Sequence, residues 1–211
     1  MGKFVIAISR EYGSGGREIG RRLAERLGVG AYDKELIAMT ADKSGLSTGY
    51  VASSEENVTN HFLLGGSFAG FNSFDSIVYY DTPTTDKMFI AQSDAIRELA
   101  ERGSCVIVGR CADYVLRGEP GLVRVFIRAE REERVARAVA EYSLPQKEAE
   151  AYVKKTDKSR ANYYKFYTNR TWGDPAHEDL VVNSSFTGVD GAVSVIETML
   201  REKGLLTENN T

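Results

Sequence analysis

The chain has 211 residues, 42% hydrophobic and 27% charged, with a formal charge of -3 and a pI near 5.6. That length suits one core-bearing domain, and the acidic balance argues against binding a nucleic-acid polymer through bulk charge. Two cysteines, Cys105 and Cys111, without metal-ligand spacing, point to a reduced, cytoplasmic protein; no apolar run reaches the roughly 18 residues of a membrane span, and the sequence enters a strand pattern at once, so neither membrane nor signal peptide is expected.

The first element is the apolar run FVIAI, 4–8, which suits a strand buried on both faces. A glycine-rich turn follows, then Ile19, Leu23, Ala24 and Leu27 at helical spacing, with Gly28 as C-cap. A short strand over 29–32 leads to a helix over 33–45, opened by Asp33 as a possible N-cap. A weaker helical pattern covers 53–64. The segment 65–86, rich in Gly, Ser, Thr and aromatic residues, has no clean period and reads as a loop or hairpin excursion. Then come a helix over 87–102, a strand at 105–109, a strand at 122–129 and a charged amphipathic helix over 130–142. A long helix over 145–167 has Pro145 at its first turn. A strand at 179–185 and a helix over 189–204 close the chain. Short apolar strands alternating with helices imply an α/β fold, a parallel sheet wrapped by helices, whose ligands sit beyond the carboxyl ends of the strands.

The stretch ISREYGSGGREIG, 8–20, lies at such an end. A turn of Gly13, Ser14, Gly15 and Gly16 can aim successive N–H groups at an anion, and the helix after it adds its positive end. No lysine stands here; Arg10 and Arg17 flank the turn. Counted from the strand end, Arg10 falls on the first glycine of the G-x-x-x-x-G-K-[ST] pattern and Gly15 on the second. Gly16 then takes the lysine's place, Arg17 the next, and Glu18 that of the magnesium-binding hydroxyl. A literal match using Gly15 and Gly20 puts a glycine inside the helix and the basic residue a turn too late.

Three further positions carry candidate chemistry. Arg110 follows a buried strand by two residues and should emerge on the ligand edge, with Asp113 and Tyr114 after it. Asp157, Arg160, Tyr163, Tyr164 and Tyr167 share helical spacing, a basic and aromatic stripe that can close over a nucleotide. Asp33 can hydrogen-bond a substrate amine or hydroxyl. Each also has a bland explanation: a plain strand–helix turn, a surface arginine, tyrosines packed on the core, a helix cap. His61 and His177 are isolated and read as structural.

Together, ISREYGSGGREIGRRLAERLG, YDKELI, VIVGRCADYVL, DKSRANYYKFY and WGDPAHEDLVVNSS resemble the cytidylate kinase-like family of P-loop nucleoside monophosphate kinases, in order and over nearly the whole chain. The resemblance implies one P-loop NTPase-like domain with a core (1–32, 87–142, 179–204), an acceptor-binding region (33–86) and a lid (145–178). It implies ATP and Mg2+ as cofactors and transfer of the γ-phosphoryl group to a nucleoside monophosphate, CMP or dCMP. Gly13 to Glu18 would form the phosphate loop together with Arg10. Asp33, Arg110, Asp113, Asp157 and Tyr163 would meet the substrate. Arg17, Arg110 and Arg160 would do the lysine's work during transfer. Ordinary members carry a lysine and a hydroxyl residue where this chain has Gly16, Arg17 and Glu18, and an aspartate where it has Cys111. Those departures leave open a non-catalytic nucleotide- or anion-binding relative, or a kinase of another small substrate. The aromatics of 65–86 suit a homodimer contact as well as a loop folded on its own domain.

Overall fold

The computed structural model describes residues 2–49, 51 and 84–206. Five strands form one parallel sheet in the order β2-β3-β1-β4-β5. They are β1 (Val5–Arg10), β2 (Gly30–Tyr32), β3 (Cys105–Val108), β4 (Leu122–Arg128) and β5 (Leu180–Asn183). The central strands β1 and β3 are buried at every residue, which is why they read as unbroken apolar runs.

Among the described residues, the α-helices that join them are α1 (Gly16–Leu27), α2 (Lys34–Ser44), α3 (Thr84–Arg102), α4 (Ala112–Val115), α5 (Arg131–Tyr142), α6 (Gln146–Thr168) and α7 (Ser184–Glu202). Alternation along β1 divides the core. Ile6 and Ile8 pack with Ile19 and Leu23 of α1 and Ile196 of α7. Val5 and Ala7 face the other way, onto Leu36, Ile96 and Leu99 of α2 and α3. Among the described residues no helix is long and apolar enough to cross a membrane.

Two helix starts differ from expectation by three or more residues. Helix α3 already includes Thr84–Asp86, ahead of the expected start at 87; these residues are polar and show no apolar period. Helix α7 starts at Ser184 rather than 189, because Asn183 Oδ1 accepts from Ser185 N at 3.2 Å and caps a first turn there. Gly188, at φ 67 and ψ 177, then interrupts the helix, so periodicity picks up only the segment beyond it. The expected helix over 53–64, His61 and nearly all of the 65–86 excursion lie outside the described residues.

Candidate active site

Strand β1 delivers Arg10 to the carboxyl edge of the sheet, and residues 11–15 turn the chain into α1. Gly13 and Gly15 hold φ of 78° and 76°, a left-handed geometry that suits glycine. Gly15 is the N-cap and Gly16 the first helical residue, so the first-turn N–H groups have no acceptor within the helix. Gly20 lies inside α1, where a Cβ would come 2.9 Å from Val108; it is a helix–sheet packing residue. The loop bounds a cleft of about 210 Å3 against Tyr142 of α5 and Arg160 of α6. Ser14 and Glu18 lie outside its lining. Ser14 is buried and its hydroxyl donates to Glu11 O at 2.9 Å, while Glu18 pairs with Arg22.

A second, smaller cavity of about 30 Å3 adjoins the first, room for on the order of two waters. Arg10, Arg110 and Arg160 line it with Tyr163 and Tyr164, and no carboxylate is in the lining. Arg10 and Arg160 line both cavities. Arg110 is turned inward by three successive left-handed residues, Gly109, Arg110 and Cys111, at φ of 79°, 62° and 54°. For a non-glycine residue that geometry costs roughly 1–2 kcal/mol, strain of the kind that gathers at functional sites. Gln92 of α3 fixes the result: its Nε2 donates to Arg110 O at 3.1 Å and to Tyr163 Oη at 3.0 Å.

Helix α6 is latched onto the phosphate loop. Arg160 Nη1 donates to Arg10 O at 3.1 Å, and its guanidinium lies 5.5 Å from the Tyr12 ring. Asp157 accepts from Tyr12 N at 2.7 Å and also from Arg134 of α5. Glu11 accepts from Ala129 N at 2.9 Å and faces Arg134 Nε at 3.6 Å. Tyr12 itself sits edge-on between Tyr142 and Tyr152. Asp33 caps α2 without a side-chain cap bond; its carboxylate pairs with Arg17 and lies 4.0 Å from Arg10.

Asp113 stands apart. Turn α4 buries it, and one oxygen accepts from Tyr164 Oη at 2.6 Å; burial pushes its carboxyl above the usual carboxylate range. Glu178 shares this acidic corner. Burial first, and the Asp113 charge second, push Glu178 up to about 8 from 4.5. Between those values the folded state holds a proton that the unfolded chain has released, so this group's stabilising contribution falls as pH rises from 4.5 toward 8. Glu178→Gln should therefore raise the melting temperature at a pH of about 8.5 and leave it unchanged near 4, where both states are protonated. Melting curves at the two pH values check this; an equal shift at both would mean that titration is not the cause. Cys105, buried and outside any disulfide like Cys111, is pushed up to about 11 by burial.

The structure thus brings Arg10, Gly13, Gly15, Gly16, Arg17, Arg110, Arg160 and Tyr163 to the two cavities. It places Asp33 beside them, Asp157 at the latch, and Ser14, Glu18 and Asp113 outside the linings. Tyr12, Gln92, Gly109 and Arg134 carry no chemical role in the sequence reading. Only Gly109 leaves a trace there, as the glycine before Arg110.

A parallel sheet in this order, with a glycine loop between β1 and α1 and an arginine-bearing helix over it, defines a P-loop kinase-like protein. The chain belongs to the cytidylate kinase-like family, whose model matches residues 5–186. Among solved structures it resembles an uncharacterized protein from Eubacterium ventriosum at 27% identity, TM-score 0.69, covering 94% of this chain and 99% of the other. Shikimate kinase from Bacteroides thetaiotaomicron matches at 12% identity and TM-score 0.56, covering 95% and 99% of the two chains. Shikimate kinase from Acinetobacter baumannii matches at 15% identity and TM-score 0.52, covering 95% and 94%. At those identities the two shikimate kinases share the fold. No curated protein matches the sequence.

Proposed function

We propose that the protein is a nucleotide phosphotransferase, moving the ATP γ-phosphoryl group to a nucleoside monophosphate, CMP or dCMP. One observation carries this reading. The phosphate-loop cleft and a second cavity lined by three arginines and no carboxylate meet at Arg10 and Arg160, so an anion in each would share the same guanidiniums. The glycine cradle suits donor phosphates. Arg110 and Tyr163 suit the acceptor's anionic end, with 33–86 supplying the rest of the acceptor region and 145–178 acting as the lid. Arg17 and Asp33 form the rim, and Asp157 and Asp113 hold the supporting backbone and tyrosine.

An acceptor phosphate oxygen attacks the γ-phosphorus while the bond to the β–γ bridging oxygen breaks. The protein's contribution is to align the two and neutralise charge. Arginines are suited to this by their fork of donors. Magnesium would accompany the nucleotide, held mainly by phosphate oxygens and water; among the described residues no group of three His, Cys, Asp or Glu could hold a metal.

The donor base has a candidate platform. Ser184 Oγ donates to Ser14 O at 2.7 Å, which ties the start of α7 to the phosphate loop. Two residues on, Phe186 is 90% exposed. Stacking a base on an aromatic ring contributes about 1–3 kcal/mol. Phe186→Ala should therefore raise KM for ATP about tenfold and change kcat little; steady-state kinetics with ATP varied checks it, and an unchanged KM removes Phe186 from the donor site.

The reading is tested by measuring ADP formation from ATP with a panel of monophosphates, with and without magnesium. Turnover with a pyrimidine monophosphate is expected. The missing lysine favours a second reading, a non-catalytic nucleotide binder, for which the panel would shift the melting temperature without forming ADP. Turnover only with a small hydroxyl substrate added to the panel would make it a kinase of another class. The proposed dimer contact through 65–86 predicts a dimer by light scattering, and a monomer at high concentration rejects it.

A further inference from the structure

We infer that Arg10 and Gly16 have exchanged the places of a phosphate loop's first glycine and its lysine, so that the Arg10 guanidinium is the cation that meets the transferring phosphoryl group. This rests on the phosphotransferase reading.

The usual pattern spaces a glycine, four residues, a second glycine and a lysine. Here the same spacing holds Arg10, four residues, Gly15 and Gly16. Gly16 has no left-handed φ; it is the first residue of α1, a place where most residues fit. What excludes a side chain is its neighbour. A Cβ on Gly16 would lie 2.5 Å from Arg10 Cβ and 3.0 Å from Arg10 Cγ. Side chains at positions 10 and 16 therefore exclude one another, and one of the two must be glycine. The usual loop puts its glycine on the strand and its cation on the helix. This chain does the reverse.

The far end of Arg10 is accommodated in the same way. Its Nη1 lies 2.0 Å from where a Cβ on Gly109 would stand. The side chain thus runs from the end of β1, past the first turn of α1, to the end of β3. It is only 6% exposed, yet it lines both cavities. Arg160 holds its carbonyl. A lysine rooted on the helix would reach the donor cleft from one side; an arginine rooted on the strand also reaches the second cavity. Arg17, next to the lysine's place in sequence, is 51% exposed on the rim and is engaged with Asp33.

The test compares wild type with Arg10→Met, Arg17→Ala, Gly16→Lys, Arg10→Gly and the swap R10G/G16K, which restores the usual order. Sodium tripolyphosphate binding by calorimetry reads the cradle without turnover, and ADP formation reads transfer. Arg10→Met keeps the packed stem and removes the charge, so it should weaken tripolyphosphate binding about tenfold and turnover roughly 100-fold, more than Arg17→Ala. Gly16→Lys alone should melt lower than wild type. The swap should recover binding to within about threefold, since lysine also serves phosphate as a point charge. Wild-type affinity in Arg10→Met, or a swap no better than Arg10→Gly alone, overturns the inference. If the swap does not fold, the salt dependence of tripolyphosphate binding decides, because Arg10→Met should bind with a shallower slope than wild type. The two readings fail separately. A wild type that forms no ADP but binds tripolyphosphate through Arg10 sinks the kinase reading alone; full turnover in Arg10→Met sinks the cation assignment alone.

Discussion

Arg160→Ala should lower turnover about 10²–10³-fold, the loss typical of removing one preorganised donor to developing charge. Arg160 shares with Arg10 the position between the phosphate-loop cleft and the second cavity. In the proposed transfer a charge at that junction feels the phosphoryl group most strongly midway, so the loss should fall on kcat more than on KM. Arg160→Lys should recover only part of it, because a point charge lacks the planar fork that holds Arg10 O at 3.1 Å and covers the Tyr12 ring. The fold should change little: the lost backbone hydrogen bond contributes roughly 1 kcal/mol. Equal kcat in Arg160→Ala and wild type would move the junction's role elsewhere; a loss confined to KM would make Arg160 a ground-state clamp.

The positions that were legible in sequence share a cause. Strands β1 and β3 are buried on both faces, so burial wrote itself as unbroken apolar runs. Arg110 could be placed because it stands two residues beyond one of those runs, and Arg160 because it repeats at helical spacing with tyrosines. The hidden positions depend on contacts distant in sequence. Arg134 lies in EREERVAR, where every charge looks solvated, yet packing turns this one inward onto Glu11 and Asp157. Gly16 looks like another loop glycine, whereas it is helical and is glycine on account of a side chain six residues earlier. Asp113 shows the opposite case. Its place after a strand suggests the ligand edge, but α4 is a single turn that rotates it onto Tyr164.

The same hidden arginine sets the largest expected loss of stability, in Asp157→Asn. Asp157 joins three elements: one oxygen takes Tyr12 N at 2.7 Å and the other takes Arg134. Asparagine keeps the volume and can still accept from Tyr12, but it leaves the buried Arg134 guanidinium with Glu11, 3.6 Å from its Nε, as its remaining anionic contact among the described residues and with Tyr12 O, 3.4 Å from its Nη1, as a neutral acceptor. Breaking one side of a buried pair costs about 3 kcal/mol, which for a chain of this length lowers the melting temperature by roughly 6–12 °C. Replacing both partners, in R134M/D157L, should recover part of the loss, because the stranded charge rather than the missing attraction dominates it. The effect should reach the loop as well. Tyr12 and Glu11 border the phosphate-loop cleft, so under the proposed function a slackened latch should raise KM for ATP even where the protein stays folded. A melting temperature within about 1 °C of wild type would show that Tyr12, packed between Tyr142 and Tyr152, and Arg160 hold α6 on the loop without the Asp157–Arg134 pair.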